Sequence, residues 1–294
     1  MKGVYAAIVT HFDEELRIDS DAVAAEVNRL VAAGVHGIVP NGTVGEGGSL
    51  SREERRSVIE IAVGAAAGRA SVCAGVSAAT AEQAGVYARD ARSAGADSVM
   101  TLPPLLYRAD QRELVEFFGE IARIAELPLM VYNNPMGSGS DLEPGLLAEL
   151  VQDVPAITAI KETSGDARRI AELVNLLPEI DIMVGGDDWA LEGFCAGAAG
   201  WISGVVDVFP SECVQLWELC QAGDLPPARA LYADLLPLAR LDMTPKLVQY
   251  FKAALDEIGV GGGPCRPPRL PLTEDEFATL RDAVAQGLTG AACR

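Results

Sequence analysis

Short runs rich in β-branched residues alternate along this chain with longer Ala, Leu, Glu and Arg stretches whose apolar positions recur at helical spacing. The apolar runs predict strands over 5–10, 37–40, 71–76, 98–102, 128–133, 157–162, 180–185 and 200–204. Between them lie helix-start signals such as Ser51-x-x-Glu54 and Thr80-x-x-Gln83, a capping hydroxyl followed by a side chain able to reach back to it. Strand and helix repeated in this way close most naturally into an α/β fold of the (β/α)8 TIM-barrel kind. An open doubly wound sheet is the alternative, but the first strand is not followed by its Gly-x-Gly-x-x-Gly fingerprint. Beyond residue 206 the strand pattern stops and helices are predicted over 207–222, 225–240, 244–258 and 273–287. The first completes the barrel, giving a catalytic unit over 1–222 and a C-terminal helical extension over 223–294. One stretch, 259–268, reads as a linker, with a glycine run passing into proline-rich chain.

Composition narrows the function. An apolar fraction of 49% over 294 residues supports a large core. The formal charge of −19 argues against nucleic acid or an anionic membrane as a partner, since both require basic patches. No run approaches ~18 uninterrupted apolar residues, and the first residues lack an apolar core with a processing site, so a cytoplasmic protein is expected. Cysteines 73, 195, 213, 220, 265 and 293 form no Cys-x-x-Cys pair and read as single buried thiols. His11 and His36 are the only histidines, which leaves no basis for a histidine-rich metal site or a serine–histidine triad, and both are assigned to structure. Trp189, Trp201 and Trp217 are expected to pack helices on the barrel.

The chemistry lies at the carboxyl ends of the predicted strands, where barrels of this kind present catalytic groups. Lys161 closes the run Ile157-Thr-Ala-Ile-Lys161, and a lysine drawn out of water tends to lose its proton and become a nucleophile toward carbonyl or imine carbon. Tyr132, at the end of the preceding strand, supplies a phenol suited to proton transfer. Each residue alone also admits a structural reading, a snorkelling lysine or a core tyrosine with its hydroxyl satisfied. After the second strand, Asn41-Gly-Thr-Val-Gly-Glu46 offers backbone N–H groups for a carboxylate and the Thr43 hydroxyl for proton relay, or is simply a tight turn. Asp187 and Asp188 are expected to cap the short seventh helix.

Taken together, Gly-Thr-Val-Gly-Glu (42–46), Tyr-Asn-Asn-Pro (132–135), Ile-Lys-Glu-Thr-Ser-Gly-Asp (160–166) and Gly-Gly-Asp-Asp (185–188) resemble the dihydrodipicolinate synthase/N-acetylneuraminate lyase family of Schiff-base enzymes. The resemblance runs along nearly the whole chain. It implies Lys161 as nucleophile, Tyr132 as proton shuttle and Thr43 in carboxylate recognition and relay. Gly42, Val44, Tyr107, Gly185, Gly186 and Ile202 are expected to contact the substrate. No metal or organic cofactor is expected, because the lysine imine itself serves as electron sink. The expected partners are a small carboxylate substrate and other copies of the chain, as a homotetramer built from dimers with a contact at Leu105–Tyr107. Where synthases of this family carry a second threonine, an arginine and a Pro-Tyr-Tyr segment, this chain has Val44, Gly137 and Pro104-Leu-Leu-Tyr107. Within the family it is most similar to the 1-pyrroline-4-hydroxy-2-carboxylate deaminase branch, a similarity that extends to Gly200-Trp-Ile-Ser-Gly204 and Arg266-Pro-Pro-Arg-Leu270. The alternatives are a pyruvate-using synthase or 2-keto-3-deoxy acid aldolase, and a keto-acid sensor without turnover.

Overall fold

The computed structural model describes residues 1–292, so Cys293 lies outside the described residues. Strands β1 (Gly3–Ala6), β2 (Gly37–Ile38), β3 (Ser71–Gly75), β4 (Ser98–Thr101), β5 (Leu129–Asn133), β6 (Ile157–Glu162), β7 (Asp181–Val184) and β8 (Gly200–Ser203) form one closed parallel barrel in sequence order. Because both faces of each strand are covered, their residues are buried almost without interruption, which explains why they read as continuous apolar runs. The expected TIM barrel is the observed fold. No helix among the described residues is long and apolar enough to cross a membrane.

Most strands are shorter than their apolar runs. The largest departure is β1, expected over 5–10 but paired with β8 only from Gly3 to Ala6. Ala7, Ile8, Val9 and Thr10 are buried for a different reason: they cross the barrel mouth. There the Val9 N–H donates to Asp207 Oδ2 at 3.0 Å and the Thr10 hydroxyl to the Gly45 carbonyl at 2.7 Å. These bonds satisfy the backbone as a ladder would, so apolar burial alone could not distinguish them from strand.

Helix signals hold in part. Ser51 and Glu54 make the full reciprocal cap, whereas Thr80 caps Gln83 and the Gln83 side chain turns instead to the Tyr87 hydroxyl. The helix expected over 207–222 is broken at Phe209 into a turn Val205–Val208 and a helix Pro210–Gln221, where the proline has no N–H to continue the first. Three further helices, Leu225–Asp242, Leu247–Glu257 and Glu274–Ala292, pack on one another beyond the barrel. Cys73, Cys195, Cys213, Cys220 and Cys265 are all free, but only Cys73 and Cys213 are buried as expected; Cys195 is exposed, and Cys220 and Cys265 are half-buried. Trp201 is fully buried edge-on to Phe194 of the helix Ala190–Cys195, and Trp217 lies edge-on to His36, whose Nδ1 accepts the Val4 N–H.

Candidate active site

Strands β5 and β6 set the centre of the site. Asn133 pairs with Glu162 and Tyr132 with Lys161 in the parallel register. The outward members lock that register: Asn133 Nδ2 donates to Glu162 Oε2 at 2.9 Å, and Asn133 Oδ1 accepts the Leu142 N–H at 2.9 Å. Burial pushes the Glu162 carboxyl above the usual carboxylate range, opposed by hydrogen bonds from Ser164 and Asn133. Since side chains alternate along a strand, fixing Asn133 and Glu162 outside the barrel turns Tyr132 and Lys161 inward. Lys161 Nζ sits 4.3 Å from the centre of the Tyr132 ring, with both residues about 5% exposed. No carboxylate lies within ion-pair distance of Nζ among the described residues.

These two side chains border a cavity of about 250 Å³. Gly42, Thr43, Val44, Gly185 and Ile202, all singled out from the sequence, also line it. Gly185 is there because it has no side chain: a Cβ would fall 1.8 Å from Thr163 Oγ1 and 2.8 Å from Lys161 Cε. Glycine at this position leaves room for the lysine rather than gripping a ligand. In the turn after β2, Asn41 and Glu46 adopt left-handed backbone, and the N–H groups of Glu46 and Gly47 bond back to Thr43 and Gly42. Those of Thr43 and Val44 meet no protein acceptor among the described residues. Two free amides beside a lysine suit a carboxylate.

Some expected residues lie elsewhere. Gly186 follows Gly185 by one position and so faces away, toward Trp189, where a Cβ would meet Nε1 at 2.2 Å. Tyr107 is 52% exposed and borders an outer groove with Thr80 and Phe117 instead of its own chain's cavity. Asp187 does not cap its own helix. It accepts hydrogen bonds from Trp201 Nε1 at 2.9 Å and from the Val205 N–H at 3.1 Å, tying β7 to the end of β8. Asp188 makes no side-chain cap either. The Tyr132 hydroxyl accepts from Asn134 Nδ2 at 2.9 Å.

Several lining residues were not singled out from the sequence. Thr163, two residues beyond Lys161 and therefore on the same strand face, carries a buried hydroxyl with no protein partner. Period-two counting from Lys161 would have found it. Asp242 and Thr244 reach the cavity from the end of the helix Leu225–Asp242, and no local sequence signal marks them. A second buried lysine, Lys252, is ion-paired with Glu46 Oε1 at 2.8 Å and donates to the Pro264 carbonyl at 2.6 Å. Arg266 adds its backbone N–H to Glu46 Oε2 at 3.1 Å and its side chain to the Ser49 carbonyl at 2.9 Å, so the C-terminal tail clamps the Thr43 turn.

Comparison with known proteins agrees with this geometry. The family model described as the dihydrodipicolinate synthetase family matches residues 1–287. A 4-hydroxy-tetrahydrodipicolinate synthase of Methanopyrus kandleri is 35% identical over 96% of this chain and 94% of its own length. The enzyme of the same name from Brucella abortus is 36% identical over 88% of this chain and 89% of its own. Among solved structures, the 4-hydroxy-tetrahydrodipicolinate synthase of Methylacidiphilum fumariolicum superposes with a TM-score of 0.95 at 29% identity, covering 99% of this chain and 97% of that one. A prophage protein of the dihydrodipicolinic acid synthase family from E. coli K12, solved with pyruvate, gives 0.92 at 26% identity, covering 98% and 99%. With the barrel, the inward lysine and a match along almost the whole sequence in agreement, this chain belongs to the dihydrodipicolinate synthetase family and is a class I Schiff-base lyase.

Proposed function

We propose that this enzyme deaminates 1-pyrroline-4-hydroxy-2-carboxylate, using one water to give 2,5-dioxopentanoate and ammonia. The observation that carries the reading is the cavity wall around Lys161. It offers free amides at Thr43 and Val44 for one carboxylate, but presents Gly137 and the Val44 side chain where the synthase resemblance expects an arginine and a threonine. A cavity of about 250 Å³ suits one small ring better than two substrates held together.

In this reading Lys161 attacks C2 of the ring C=N, and the ring nitrogen leaves that carbon as a free amine. The product is a lysine-bound imine carrying the C4 hydroxyl and a terminal amine. A C3 proton is removed on the Tyr132 side, the C4–O bond breaks and water departs. Proton shifts then move the remaining unsaturation to the terminal C–N bond. Hydrolysis there releases ammonia, and hydrolysis at C2 frees Lys161, so two waters enter and one leaves.

The names of the relatives favour a second reading, condensation of pyruvate with aspartate semialdehyde on the same lysine. A substrate panel separates the two. Ammonia should be released from the hydroxy-pyrroline carboxylate, and pyruvate plus aspartate semialdehyde should give little product. Losing an arginine grip on a carboxylate removes about 2–5 kcal/mol, roughly 30-fold or more in condensation. Efficient condensation without ammonia release would return the chain to the synthase reading.

The same proposal includes the division into barrel (1–222) and extension (223–294), a cytoplasmic location, and assembly as a dimer of dimers. Support for assembly comes from two exposed apolar side chains, Leu106 at 86% next to Tyr107 in the chain and Met136 at 69% on the cavity lining.

A further inference from the structure

Asp242 ends the helix Leu225–Asp242 and lines the catalytic cavity together with Tyr132, Lys161 and its own neighbours Met243 and Thr244. It is the one carboxyl among the described side chains that line the cavity with Lys161. The cavity thus holds a phenol and a carboxyl along with the lysine. Elimination across C3–C4 needs two proton-handling groups: a base for the C3 hydrogen and an acid for the departing oxygen. Tyr132 supplies one, and the Thr43 and Thr163 hydroxyls that share the cavity are far weaker acids than a carboxyl, which leaves Asp242 for the other.

We propose that Asp242 is the catalytic acid that protonates the hydroxyl leaving C4 of the lysine-bound substrate. This rests on the deaminase reading. In the step, the C3–H electron pair passes into the lysine-bound imine as an enamine, which returns it to form C3=C4 as the C4–O bond breaks. The oxygen keeps its bonding pair, takes the Asp242 proton and leaves as water, and Asp242 becomes a carboxylate.

The local electrostatics fit this use. Burial pushes the Asp242 carboxyl up to about 6, with the Lys161 ammonium pulling it down and the Asp188 carboxylate pushing it up. Burial also holds the neighbouring Asp187 carboxyl well above the carboxylate range, further raised by Asp242 itself. These are the charged groups facing Asp242, from β6 and from the turn after β7. A carboxyl so placed keeps a protonated fraction near neutrality, and that fraction falls as pH rises through its pKa.

The test is the full-length enzyme with Asp242→Asn and Asp242→Glu, assayed for ammonia release and for borohydride trapping of substrate on Lys161. With Asp242→Asn, trapping should persist and KM should stay within a few-fold, while kcat falls about 10²–10³-fold and loses its decline on the alkaline side. Asp242→Glu should recover part of kcat and restore the pH limb. Unchanged kcat in Asp242→Asn overturns the proposal, and so does joint loss of trapping and activity, which would make Asp242 a structural support of Lys161. If the wild-type enzyme releases no ammonia, the deaminase reading itself fails and takes this proposal with it.

Discussion

Lys161 and Lys252 are both buried, at 6% and 2% exposure, yet they are built for opposite ends. Lys252 is surrounded by acceptors: the Glu46 carboxylate, the Pro264 carbonyl and the Phe12 ring at 4.4 Å. Burial lowers its pKa while Glu46 holds it up, so the amine is tied as an ammonium in a clamp between helix, tail and site turn. Lys161 has the Tyr132 ring at 4.3 Å and an open cavity. Burial by itself therefore does not mark a nucleophile. What distinguishes the two is whether the ammonium is paired, because a paired lysine has neither the lone pair nor the freedom to attack.

The largest effect expected from that contrast is on covalent chemistry. Lys161→Met should abolish turnover, by more than about 10⁴-fold, since no other group can carry the imine. Borohydride reduction with substrate should add mass to the peptide containing Lys161 and leave those of Lys252 and Lys246 unlabelled, and peptide mass mapping reads this directly. Labelling at Lys252 would erase the distinction. Next in size is Tyr132→Phe, which removes the hydroxyl but keeps the ring beside Nζ. It should lower kcat by about 10²–10⁴-fold with KM little changed, measured by steady-state ammonia release. An unchanged kcat would leave Tyr132 as packing, with its hydroxyl serving only to bond Asn134.

How far this was legible in the sequence follows the range of the signals. Lys161 and Tyr132 could be found because both end apolar strands, and strand alternation fixes which way they face. The same alternation, applied one step further, excludes Gly186 and finds Thr163. β1 ends sooner than its apolar run because Val9 and Thr10 are held at the mouth by hydrogen bonds to Asp207 and Gly45 that no periodicity encodes. Asp242 was invisible for a stronger reason. It ends a helix of ordinary amphipathic sequence, and only the packing of that helix against the turns Asp187–Trp189 and Val205–Val208, which follow β7 and β8, brings it to the cavity. Lys252 and Glu46, 206 residues apart, are likewise joined by tertiary closure alone.

The smallest effect, and the one that tests the contrast most directly, is on stability without substrate. Lys252→Met leaves Glu46 as a buried carboxylate stripped of its closest cation, with Arg269 at 3.5 Å the nearest remaining charge. Breaking a buried pair from one side costs about 3–5 kcal/mol. Lys161→Met removes an ammonium that has no close carboxylate to orphan, and it fills the space with an apolar chain of similar length. The neighbouring Asp242 and Asp187 lose some favourable field, but burial already pushes both toward their protonated forms, which limits the penalty. Lys161→Met should accordingly stay within about 1 kcal/mol of wild type in urea unfolding at neutral pH. The order matters more than either value: the substitution that ends catalysis should be nearly silent in the melt, and the one that leaves Lys161 in place should be the destabilising one. Equal losses from both would mean that Lys161 also holds the barrel together, and pairing would no longer separate the two lysines.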